Sequence, residues 1–202
     1  MNRMNNSYAV VWFSFFIFML WGCESSERGT RYADYPMYSI NVDSAKLSTE
    51  SVTYNQISML LPRYWDDVVS MEDLNTEMVK FAAIHETYLS PSENIYGDEL
   101  KNAFVIISEV ISESYLNELL NNTENLLNPD GDLSNLRKES YQLKSFLIHH
   151  YLLQTPRWVN MKILIEKGLE NPVQIDFIMP SYVYVDESEI LQSSIGSLSK
   201  IQ

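Results

Sequence analysis

Apolar and polar positions divide this chain into three regimes. From Tyr8 to Leu20 nearly every residue is apolar or small, and no polar stripe would let a helix built from them meet water on one side. From Glu24 to about Ser51 the chain is polar, holds Gly29 and Pro36, and shows no sustained period. That composition predicts a flexible tether over residues 23–50, interrupted by Tyr32, Tyr35 and Tyr38 packing loosely on a neighbouring surface. Beyond Ser51, regular alternation begins and continues to the C-terminus, so residues 51–202 are expected to form one domain.

Within that domain Val52–Tyr54 and Ile57–Leu61 flank Asn55-Gln56, a strand, tight turn and strand ending at Pro62. Arg63 to Leu74 predicts a short acidic helix or turn, Met78 to Ile84 a strand, and Thr87 to Asn102 a loop. Ala103 to Ile111 is β-branched and nearly continuous, the pattern of a buried strand. Ser112 or Ser114 can cap a helix over Glu113–Leu127, where leucines recur at helical spacing until Asn128-Pro129-Asp130-Gly131-Asp132 stops it.

The second half reads as a meander: strands over Glu139–Lys144 and Phe146–Leu153, then Trp158–Glu166 and Val173–Met179 around a turn at Lys167–Pro172. In the last two, Val159, Met161, Ile163 and Ile165, with Val173, Ile175, Phe177 and Met179, make an apolar face. Asn160, Lys162, Gln174 and Asp176 lie on the other, which predicts a partly wet side. A closing helix is expected with Asp186 as cap, Glu189 three residues on, and Ile190, Leu191, Ile195, Leu198 and Ile201 on one stripe. The predicted fold class is α+β, an antiparallel sheet flanked by helices.

The leader changes the picture most. A head whose only charge is Arg3, a short apolar core, and Leu20-Trp21-Gly22-Cys23 describe an exported protein's signal peptide over residues 1–22. The run is shorter than the about 20 apolar residues a membrane-spanning helix needs. The L-x-G-C ending resembles the lipobox of bacterial lipoproteins, with Trp21 where a small residue is usual. The resemblance implies acylation of Cys23, for instance with palmitate-type chains, and Glu24 beside it favours the outer over the inner membrane. Simple secretion and an uncleaved anchor are the alternatives. Cys23 is the only cysteine, so an acylated chain has no thiol left for a disulfide or a nucleophile.

Loss of Arg3 leaves 13 basic against 27 acidic side chains, a net charge of −14. That argues against nucleic acid and against electrostatic adhesion to anionic lipid, and favours cationic or metal-bearing partners. His149 and His150 are adjacent on a predicted strand, so they face opposite ways and cannot readily share a metal; His85 ends another strand. Asn128, Asp130, Asp132, Ser134 and Glu139 stand at positions 1, 3, 5, 7 and 12 of a calcium-loop pattern, but Leu133 occupies the place that needs glycine. An acidic turn accounts for the same residues, as a solvated face does for Asp66-Asp67 and Glu72-Asp73. Trp65, Trp158, Tyr182 and Tyr184 could line a groove, although core or rim packing is the commoner use. No GxSxG, HExxH, SxxK or glycine-rich phosphate loop occurs. No catalytic residue and no cofactor is predicted.

The order of elements, with Pro62-Arg63-Tyr64-Trp65 after the first hairpin, resembles the PsbP-type fold. So does the close, in which Met161–Glu166, Val173–Pro180 and Glu189–Leu198 are followed through Ser197-Leu198. That group includes the extrinsic photosystem II protein, a yeast nuclear-import factor that binds Ran, and bacterial lipoproteins of the DcrB type. The resemblance implies an α/β/α sandwich and a non-enzymatic role in binding or assembly; it transfers no site residue, and nothing here points to photosynthesis. The expected function is that of a bacterial envelope lipoprotein, held to the membrane through Cys23 and available to an envelope protein partner. The alternative is a carrier of a small apolar ligand or a divalent ion on an open sheet face.

Overall fold

The structure, a computed structural model, describes residues 35–65, 67–68, 89, 95–127 and 135–201. The leader, Cys23, Asp66, Glu72, Asp73, the strand expected over Met78–Ile84, His85, and Asn128, Asp130, Asp132 and Ser134 lie outside them.

Hydrophobic alternation places the first hairpin where expected, with β2 (Leu47–Tyr54) turning through Asn55-Gln56 into β3 (Ile57–Pro62). Asn55 takes the turn at φ 48°, a left-handed conformation that asparagine accepts more readily than most residues. A short strand β1 (Met37–Tyr38) precedes them. After them come β4 (Asp67–Val68), β5 (Ile95–Asp98), β6 (Ala103–Glu109), β7 (Asn135–Leu143), β8 (Phe146–Gln154), β9 (Trp158–Lys167) and β10 (Val173–Pro180). Eight strands form one sheet in the order β1-β7-β8-β9-β10-β6-β5-β4, and β11 (Ser199–Lys200) joins β3 and β2 in a second.

This corrects the expected helix-flanked antiparallel sandwich. Strand dominates the described residues, and the large sheet is mixed because β1 runs parallel to β7. One face is covered by the small sheet together with a helix α3 (Ser181–Ser197); the other carries the short helices α1 (Glu113–Asn121) and α2 (Thr123–Leu127). Both faces are therefore occupied, and the open face assumed for a carrier is filled. Two- and four-residue strands have no readable period, so β1, β4, β5 and β11 are decided by their neighbours' unpaired main chain. Residues 37–38 and 47–50, read as tether, are strand, with Leu47 fully buried, and β5 lies within the expected loop.

The helix predicted over Glu113–Leu127 is broken at Asn122 (φ −126°, ψ 38°). Side chains replace the missing ladder: Thr123 Oγ1 and Tyr151 Oη donate to the Leu119 carbonyl at 2.5 and 3.1 Å, and Lys138 Nζ to that of Leu120 at 2.6 Å. The final helix starts at Ser181, five residues before the expected cap, and Ile201 lies beyond its end. Its beginning is fixed by tertiary bonds, Ser181 N to the Arg157 carbonyl (3.0 Å) and Ser181 Oγ to that of Thr155 (2.8 Å), which no local pattern announces.

Small residues near the end of α3 allow close docking on β3. Ser194 Oγ donates to the Leu60 carbonyl (2.6 Å) and Leu60 N donates to Ser197 Oγ (2.8 Å), so hydroxyls continue a ladder that β11 serves only at Ile57 and Ser58. The core between the sheets holds Trp65, Phe177, Met161, Ile163 and Leu191, while Tyr115, Leu119, Tyr151 and Leu164 pack on the opposite face.

The face expected to be partly wet is dry. Asn160, Lys162 and Gln174 are fully buried and Asp176 nearly so. Lys162 Nζ meets Asp176 Oδ1 at 2.5 Å, Gln174 Nε2 donates to Asp176 Oδ2 at 2.6 Å, and Tyr115 Oη on α1 donates to Gln174 Oε1 at 2.8 Å. Period-two alternation places these groups on one face but cannot show that α1 lies over it. Burial pulls the Lys162 ammonium down, yet Asp176 and the polar groups around it prevail, and its pKa stands above the ordinary lysine value.

Candidate functional site

At one end of the sheets, three turns and strand ends enclose a cleft of about 330 Å3, lined by Asn55, Gln56, Glu109, Leu169, Glu170, Asn171 and Val173. The β2–β3 turn supplies Asn55 and Gln56, the end of β6 supplies Glu109, the β9–β10 turn supplies Leu169, Glu170 and Asn171, and the start of β10 supplies Val173. Carboxylates and primary amides are matched across it. Glu109 accepts from Asn55 Nδ2 at 2.6 Å and from Asn171 Nδ2 at 2.8 Å. Glu170 accepts from Gln56 Nε2 at 3.2 Å, and its own amide donates back to Gln56 Oε1 at 3.0 Å. Glu109 N donates to Tyr54 Oη at 3.1 Å, which fixes the strand end.

The β9–β10 turn depends on Gly168. Its φ is 102°, and a Cβ there would stand 2.5 Å from the Ser145 carbonyl oxygen. Lys200 Nζ donates to the Gly168 carbonyl at 2.8 Å, and among the described residues those that line the cleft include no cation. Two carboxylates among amides, with no nucleophile beside them, suit recognition of a positively charged, hydrogen-bonding group.

A second polar cluster spans β7, β8 and β9. His149 Nε2 is 2.8 Å from Glu166 Oε2 and its Nδ1 2.7 Å from Ser140 Oγ. A carboxylate only accepts, so Nε2 carries the proton and Nδ1 of the neutral ring accepts from Ser140. Tyr35 meets the ring edge-on at 6.1 Å. Serine, histidine and carboxylate resemble a nucleophile and its base. However, Ser140 sits mid-strand within the β7–β8 ladder, where its flanking main chain is already engaged. The cluster reads as a buried cross-strand lock.

Burial, partly offset by Glu166, holds the His149 imidazole below the usual histidine range; burial, opposed by Glu139, does the same to His150. Each ring stays neutral in the folded chain where the unfolded chain, titrating at about 6.5, has begun to take a proton. The contribution of these two rings to stability is therefore expected to be constant above about pH 6.5 and to fall below it, until the lowered folded-state pKa values are reached. Urea unfolding at stepped pH checks this, and His149→Gln should make the fall shallower.

The remaining expectations resolve as follows. His149 and His150 do face opposite ways, the second packing edge-on to Tyr141. Of the calcium-loop residues only Glu139 is described; it stands exposed on β7 opposite His150. Among the described residues no group of three or more His, Cys, Asp or Glu could hold a metal. Trp65 is fully buried in the core, Trp158 is half-buried under Arg157, Tyr184 packs against the core and Tyr182 is exposed, so the four do not form a groove. The cleft was not anticipated: its residues come from turns and strand ends distant in sequence, each of which reads only as a turn or a strand end.

No protein-family model matches the chain, and no curated protein matches it. Among solved structures, the chain is similar to the solution structure of cyanobacterial PsbP (CyanoP) from Synechocystis sp. PCC 6803. The two are 14% identical, with 77% of this chain and 93% of that one covered and a TM-score of 0.44.

Proposed function

We propose that this chain is a lipid-anchored binding module of the bacterial envelope, without catalysis, whose folded body receives a cationic group of a partner in the amide–carboxylate cleft. The cleft carries the reading: Glu109 and Glu170 line it among Asn55, Gln56 and Asn171, so carboxylates and primary amides from three segments converge on one opening. An ammonium or guanidinium gains charge-assisted hydrogen bonds from such groups that a neutral amide cannot match. The excess of acidic side chains along the chain would draw a basic partner toward it. Support for the anchor is separate and lies in the Leu20-Trp21-Gly22-Cys23 ending, as does the DcrB-type side of the resemblance.

Two measurements test the two halves. Mass spectrometry of membrane-extracted protein should find a mature chain beginning at acylated Cys23, and Cys23→Ala should leave the leader uncut; an intact, unacylated N-terminus removes the anchor. For the cleft, a decalysine peptide titrated at low salt should shift the side-chain amide resonances of Asn55 and Asn171. The double variant Glu109→Gln, Glu170→Gln should weaken that binding at least tenfold, and equal binding by variant and wild type removes the cleft as the site.

A further inference from the structure

The cleft draws its lining from both sheets, and each sheet brings an exposed isoleucine to its border. From the large sheet, Val110 N donates to the Pro172 carbonyl at 2.9 Å, which ties the chain just past Glu109 to the segment that supplies Asn171 and Val173. Ile111 follows at once and is 60% exposed. From the small sheet, Ile201 comes directly after β11, and its amide donates to the carbonyl of Gln56 at 2.8 Å. Its side chain is 38% exposed. Of the two apolar residues that line the cleft itself, Val173 belongs to the core between the sheets and Leu169 packs against it.

The polar side chains are fixed before any occupant arrives. Asn55 and Asn171 each give an N–H to Glu109, and Gln56 and Glu170 exchange two bonds, so little side-chain freedom is left to lose on binding. Carboxylate and amide oxygens carried on separate side chains are met better by a planar fork of five N–H donors than by a compact ammonium. A guanidinium is also the more weakly hydrated of the two cations, which suits a lining that includes Leu169 and Val173. A free amine or a purely basic segment would leave Ile111 and Ile201 in water. A segment with aliphatic side chains on either side of its cation would cover them. The formal charge of −13 favours the approach of such a partner.

We infer that the cleft and its two bordering isoleucines together take an extended segment of a partner protein in which one arginine lies between aliphatic side chains. The inference rests on the cleft reading above, and its test keeps the two apart.

Three capped peptides titrated into the full chain decide it: a leucine-arginine-leucine peptide, its leucine-lysine-leucine counterpart, and a serine-arginine-serine peptide. The side-chain amide resonances of Asn55 and Asn171 report on binding. The leucine-arginine peptide should bind about tenfold or more tightly than the serine-arginine one, the gain expected from covering one or two apolar side chains. It should also bind severalfold more tightly than the lysine peptide. In the double variant Ile111→Ser, Ile201→Ser the advantage of leucine over serine should vanish; both positions are exposed, and an unchanged far-ultraviolet spectrum confirms that the fold is kept. Equal affinity for the leucine and serine peptides, or for arginine and lysine, overturns the inference, while continued binding of decalysine leaves the cleft standing. A leucine preference that survives in the double variant places the apolar contacts elsewhere and overturns it as well. If neither these peptides nor decalysine shifts the two resonances, the inference and the cleft reading fall together.

Discussion

Replacing Lys162 with methionine is expected to lower the unfolding free energy by about 3–5 kcal/mol, because it strands a buried carboxylate. Asp176 is 2% exposed, and its two oxygens are held by Lys162 and Gln174. Without the ammonium, Asp176 must keep an uncompensated charge in the interior or take up a proton, and either outcome favours the unfolded chain. Asp176→Asn added to Lys162→Met removes the stranded charge and keeps an acceptor for Gln174. The double variant should therefore recover most of the loss. Chemical denaturation of the wild type and variants measures it; a Lys162→Met protein within about 1 kcal/mol of wild type would mean that the pair carries little stability.

The second large effect belongs to Trp65. Its ring is fully buried between the sheets, 6.3 Å from Phe177, and truncation to alanine should cost about 3–5 kcal/mol in lost contacts and cavity. The indole Nε1 has no hydrogen-bond partner among the described residues. Trp65→Phe forfeits volume but no bond, so it should cost roughly half as much or less. Thermal melts of the two variants decide this, and equal losses would show that the indole nitrogen is bonded.

How far the fold could be read from the residues depended on length and on what covers each face. β6, β9 and β10 are long enough for their runs and alternation to show, and Asn55-Gln56 marks its hairpin openly. β5 escaped notice because Gly97 reads as a breaker, whereas here its bare Cα admits the Phe104 ring; a Cβ would stand 2.5 Å from Phe104 Cδ1. Lys162 and Asp176 were assigned to the correct face but to the wrong medium, since charge suggests water until α1 is seen to close over it. The α3 start, rich in tyrosine and valine, carries no capping signal because the β8–β9 turn holds it through the Thr155 and Arg157 carbonyls. The cleft is a property of juxtaposition: Asn55, Glu109 and Asn171 come together only when three distant segments meet. The proposed anchor is the reverse case: its support lies in the residues around Cys23 alone, and they fall outside the described residues.

One bond near the C-terminus limits how the molecule can be handled. Ile201 N donates to the Gln56 carbonyl at 2.8 Å, so residue 201 stands against a residue that forms part of the cleft wall. A purification tag or fused reporter appended there would emerge beside the mouth and compete for the very groups meant to meet a partner. A handle is better inserted within an exposed turn at the far end of the sheet, such as Glu99-Leu100 between β5 and β6.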